Sequence, residues 1–232
     1  MKKLLLFGLL LWLVGCTPNV SHDGTQAILD FYGGQLLANV GVAASTEADA
    51  VKGHYLELVL VNDELTKGVD QLSVPASNCA YLFYHNVIPA ERAKYDYIKV
   101  RIQGKNASYE ESFSMKDLGI VDLAKDQFDS FGQVLKHEQY EQLPSLIVPG
   151  VVDATGLEAF MKGALDNNQR FGPVTGFRLN GFAFAEYEDH GQKRRYVDMF
   201  ALVTRPRNQS LGHLAIDPEA TLPGPYVLGM SI

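Results

Sequence analysis

The side chains with the most reactive chemistry are few and scattered. Six histidines, His22, His54, His85, His137, His190 and His213, fall at spacings where no two imidazoles share a metal. The run His137-Glu138-Gln139-Tyr140-Glu141 approaches a zinc-binding helix, but that site needs a second imidazole one turn on, where Glu141 stands. It reads instead as the solvated end of a helix. His190, with Glu186, Glu188 and Asp189, offers donors that suit a hard cation, although an acidic hairpin tip is also an ordinary wet turn. No GxSxG elbow, Walker loop, GxGxxG or paired CxxC is present, so the sequence assigns no catalytic residue, metal or cofactor. Cys79 lies in the apolar run Asn78-Cys79-Ala80-Tyr81-Leu82-Phe83, which favours a buried packing residue over a reactive thiol. Tyr81, Phe83, Tyr84, Tyr95 and Tyr97 could stack on a sugar or fill a core.

The elements that must position these groups are legible from periodicity. The chain has 232 residues, 47% hydrophobic and 20% charged, an ordinary globular balance long enough for one large domain or two smaller ones. Residues 25–114 mix short helices and strands. A helix is expected at 25–32, strands at 35–45 and 54–61, a helix capped by Ser77 or Asn78, and a short helix opened by Pro89. Over 97–103, Ile98, Val100 and Ile102 alternate with Lys99 and Arg101, a half-buried strand, and 108–114 supplies its partner. In 115–232, Ala124, Phe128, Phe131 and Leu135 predict an amphipathic helix over 119–138. A short helix over 140–145 follows. Thr155 and Glu158 suggest a capping box for a third, with Leu157, Phe160, Met161, Ala164 and Leu165 as its stripe. Strands are expected at 174–188, 194–205, 210–216 and 225–232. The fold class is therefore α+β, as two small α+β domains spanning 25–114 and 115–232, the second with N-terminal helices packed on a curled antiparallel sheet.

The first residues differ in kind. Lys2 and Lys3 precede an apolar run from Leu4 to Leu13, about half the length of a bilayer span, which reads as a signal peptide over 1–15. The run ends in Leu13-Val14-Gly15-Cys16, which resembles the lipobox of bacterial lipoproteins. The resemblance implies cleavage before Cys16, diacylglycerol on its sulfur, and anchoring by more than one acyl chain. Residues 16–24 then form the lipidated cysteine and a polar tether. Thr17, rather than Asp, implies the outer membrane of the cell envelope. After removal of Lys2 and Lys3 the body is more acidic than the −7 of the whole chain, which argues against nucleic acid as a partner. An ordinary leader with a chance cysteine is the plainer alternative.

Helices followed by a curled antiparallel sheet, with a final strand ending Val227-Leu228-Gly229-Met230-Ser231-Ile232, make the C-terminal half resemble the cone-shaped nuclear transport factor 2-like and cystatin-like folds. Such cones often hold a pocket between sheet and helices, with an acid or base inside. On that resemblance the polar strand residues Arg178, Asn180, Tyr196 and Asp198 become pocket candidates, with Asp198 as base beside Arg178. The competing reading is an outer face where Asp198 and Arg178 form an exposed pair worth under about 1 kcal/mol. The expected function is a non-catalytic binding or accessory module, meeting an envelope protein or small ligand; the alternative is a small-molecule enzyme using the cone's pocket.

Overall fold

The computed structural model describes residues 20–44, 52–67, 71–105, 107–189, 191–220 and 224–232. Residues 1–19, with the expected leader and Cys16, and His190 lie outside the described residues. The fold is mixed α+β, 41% helical and 37% strand, with two four-stranded sheets. No helix among the described residues is long and apolar enough to cross a membrane.

The first sheet follows helix α1 (His22–Tyr32) and runs β1 (Gln35–Ala43), β2 (Gly53–Val61), β3 (Tyr97–Gln103) and β4 (Ser108–Ser114), in that spatial order. Its outer pairs are antiparallel and β2–β3 is parallel. A parallel pair needs a crossover, supplied here by α2 (Asp63–Lys67), α3 (Ser73–Asn86) and α4 (Pro89–Arg92). Leu56, Leu58 and Leu60 on β2 and Ile98, Val100 and Ile102 on β3 are fully buried, as their alternation predicts. On the opposite face Lys99 and Arg101 reach Glu110 at 2.8 and 2.6 Å, solvated pairs that add little stability.

Helix α5 (Met115–Lys136) opens the second half, capped by Ser114, whose Oγ accepts from Asp117 N at 2.9 Å. It starts four residues earlier than its stripe predicts. After a 3₁₀ turn (Tyr140–Gln142) and α6 (Leu143–Leu146), α7 (Ala154–Phe171) begins at Asp153, not Thr155: Asp153 Oδ1 accepts from Gly156 N at 2.6 Å. Leu165, placed in its stripe, is 45% exposed. Strands β5 (Gly176–Asp189), β6 (Gln192–Arg205), β7 (Asn208–Ile216) and β8 (Val227–Ser231) form an antiparallel meander, curled but not closed. Phe128 and Phe131 of α5 pack on Phe177 of β5 at 4.6 and 6.1 Å between ring centroids.

Helix α3 touches both sheets. It starts at Ser73 rather than at Ser77, because Pro75 falls in the first turn, where a missing N–H removes no helical bond. Ser77 is therefore inside the helix and 1% exposed. Its Oγ donates to Val74 O and accepts from Phe182 N on β5, both at 2.8 Å. Ser77→Ala leaves that buried N–H unpaired, and unfolding by urea should show a loss of about 1–3 kcal/mol.

Candidate functional site

Where α3 meets β5, the edges of the two sheets face each other. Phe113 of β4 meets Phe182 of β5 edge-on at 5.7 Å, and Phe182 meets Phe184 at 5.8 Å. These three rings floor a cleft of about 400 Å³ along the seam. Ser73, Glu111, Asp117 and Arg195 supply polar groups to its wall. Six of its lining residues are polar or charged and six are apolar, a mixed wall that suits an amphipathic small molecule.

The polar groups are positioned by the fold rather than by chance rotamers. Asp117 sits in the first turn of α5, where the helix dipole favours a carboxylate. It accepts from Arg195 NH1 at 2.6 Å. The Arg195 guanidinium lies over the Phe184 ring, 3.6 Å from its centroid, so it is held by charge on one side and by an aromatic face on the other. Its side chain keeps 47% exposure. Glu111 Oε2 accepts from Tyr109 OH at 2.7 Å; burial, with that carboxylate beside it, pushes the Tyr109 phenol up to about 12. A second cavity of about 500 Å³, walled by Ile120, Leu123 and Lys193, lies against Arg195 as well. Arg195 thus stands between two concavities.

The four residues named from the strands lie elsewhere. Val197, Met199, Ala201 and Val203 point inward, fully buried, which places Tyr196 and Asp198 on the other face of β6. Asp198 Oδ1 meets His213 Nδ1 at 2.7 Å. Tyr196 packs edge-on against Tyr187 at 6.0 Å. Arg178 pairs in register with Leu202, well along the strand from Asp198, and its guanidinium lies 4.6 Å from the Phe31 ring centroid. Asn180 sits at a break in register between Leu179 and Gly181, and its carbonyl faces Tyr32 OH at 3.5 Å. The structure therefore does not bring Arg178 and Asp198 together, and none of the four walls the seam cleft.

Other reactive side chains are absorbed by packing. Cys79 is fully buried, which pushes its thiol well above the usual range. Tyr81, Tyr95 and Tyr97 are 2%, 7% and 5% exposed, so they form no open stacking platform for a sugar. Asp122 accepts from Tyr81 OH at 3.1 Å and meets His85 Nδ1 at 2.7 Å, a knot that ties α3 to α5. His137 is the exposed C-cap of α5. Among the described residues no three His, Cys, Asp or Glu side chains gather as a metal would require.

Sequence reasoning missed Asp117, Arg195 and the aromatic floor. Asp117 and Arg195 are 78 positions apart, and Ser77 and Phe182 are 105 apart. No local period links such pairs. The one local hint is Lys193-Arg194-Arg195, a cationic run on a strand of an acidic protein. No family model, curated protein or solved structure matches the chain, so the site is read from its own geometry.

Proposed function

We propose that this chain is a lipid-anchored protein of the bacterial cell envelope, fixed through Cys16 to the outer membrane, that binds a small amphipathic molecule in the seam cleft. Its role on this reading is to bind, on its own or as an accessory to an envelope protein, rather than to catalyse. The N-terminal Lys2-Lys3, the apolar run and Leu13-Val14-Gly15-Cys16 support the address. The acidic body argues against nucleic acid. We also read two α+β units meeting near residue 115, the second akin to the nuclear transport factor 2-like cone. In support, β1 to β4 fall within 35–114 and β5 to β8 within 176–231.

One observation carries the binding assignment: an aromatic-floored cavity of about 400 Å³ with a half-exposed guanidinium at its wall. Among the described residues Arg195 spends one N–H on Asp117. The rest of its fork can receive a carboxylate, sulfonate or phosphate, while an apolar or aromatic body lies against Phe113 and Phe182. A charge-assisted hydrogen bond of this kind contributes about 1.5–3 kcal/mol.

The test is calorimetric titration of 2-naphthoate into the lipidated protein held in nanodiscs. Binding to the parent is expected, weakened roughly 10- to 100-fold in Arg195→Met. Because Arg195 is half exposed, loss of its pair with Asp117 should lower the melting temperature by no more than about 2–4 °C. Equal affinity in parent and variant, or no binding to the parent, refutes this site.

A further inference from the structure

Among the described residues Arg205, the last residue of β6, is a buried cation with no carboxylate partner. It continues the inward phase of Val197, Met199, Ala201 and Val203, so the strand delivers a guanidinium to the apolar side of the curled sheet. Arg205 is 4% exposed. Among the described residues its single hydrogen bond is a long one, Nε to Asn168 Oδ1 at 3.4 Å, and Nη2 is buried without a partner. Burial alone lowers its proton affinity.

Asn168, the one side-chain partner of Arg205 among the described residues, spends its other hydrogen bonds elsewhere. Asn168 Nδ2 donates to Tyr140 OH at 2.9 Å and to Glu138 Oε1 at 3.0 Å. That leaves the Tyr140 hydroxyl proton, on a residue 6% exposed, free to donate in turn. Glu138, the nearest acid of the network, is turned outward at a positive φ of 56° and spends an oxygen on Asn168. Beyond Asn168 Oδ1 on Nε, no acceptor among the described residues reaches the buried Arg205 Nη2, and none takes the Tyr140 hydroxyl proton. Buried polar groups in native proteins almost always find partners, and a buried cation most of all.

We infer that Arg205 Nη2 and Tyr140 OH bind a small dehydrated monoanion, of chloride size, between the end of β6, the turn after α5 and helix α7. Arg205 is 4% exposed, which sets this site apart from the open seam cleft. The anion supplies the missing negative charge and locks three separate elements together. It makes stability depend on halide.

The experiment is thermal unfolding of the full mature lipoprotein in sodium chloride and in sodium gluconate at equal ionic strength, gluconate being too large to enter. With chloride at about 100 times its dissociation constant, the melting temperature should rise by roughly 5–10 °C relative to gluconate. Arg205→Met should abolish that difference and, in gluconate, melt no lower than the parent, because it removes an unpaired charge. Tyr140→Phe keeps the ring and should shrink the difference, which decides the matter if Arg205→Met does not fold. Crystals soaked in bromide should show an anomalous peak within hydrogen-bond reach of Arg205 Nη2. Identical melting in both salts, an undiminished salt difference in the variants, or an ordered water in place of bromide overturns the inference.

Discussion

Gly181→Val is expected to unfold the seam, lowering stability by about 2–6 kcal/mol in urea titrations followed by circular dichroism. A Cβ at Gly181 would lie 2.3 Å from Val74 O, 2.7 Å from Val74 Cγ1 and 2.9 Å from Val74 C. Two of these atoms are backbone and cannot swing aside, so β5 must move off the first turn of α3. Overpacking of this kind typically costs about 1–3 kcal/mol. The movement also breaks the bond from Phe182 N to Ser77 Oγ, adding about 1–3 kcal/mol for an unpaired buried N–H. Against a typical stability of about 5–15 kcal/mol the sum is large. Gly163→Ala, on the exposed side of α7 with nothing within 4 Å of its Cβ, is the control and should stabilise by about 0.5–1 kcal/mol. A Gly181→Val protein that unfolds at the parent's urea midpoint contradicts this account of the seam.

If the proposed lipid anchor holds, Cys16→Ser is expected to have an effect of a different kind, all or none. A serine oxygen cannot become the thioether that carries diacylglycerol, so incorporation of a palmitate analogue should fall to background. More than one acyl chain is what makes anchoring stable, since a single chain gives only marginal binding, on the order of 10⁴ M⁻¹. Acyl labelling is the right readout rather than sedimentation, because an apolar leader left in place also travels with membranes. Full labelling of Cys16→Ser would move the lipid elsewhere and undo the assignment.

Local patterns told most of the secondary structure and little of the site. Strand β3 was legible because three buried aliphatics alternate with two cations, and only a half-buried strand has that period. The meander was legible from its alternation and turns. Starts of helices were harder: Ser77 and Asn78 are capping types but lie inside a helix whose first turn holds Pro75, and Asp153 competes with Thr155 as a cap. The seam cleft was hidden, since it exists only once β4, α3 and β5 are assembled from distant stretches. Arg205 is the instructive intermediate. The phase that sends Val197, Met199, Ala201 and Val203 inward sends Arg205 inward too, and the same phase sends Tyr196 and Asp198 outward. Following the alternation two residues further would have moved attention from Asp198 to Arg205.

Native mass spectrometry of the protein drawn gently from the membranes of its own host tests anchor and cleft together. The account predicts a chain beginning at Cys16 with the added mass of its lipid, together with a heavier species carrying a small bound molecule that vanishes in Arg195→Met. A bare thiol, a leader still attached, or the same single species in parent and Arg195→Met would contradict it.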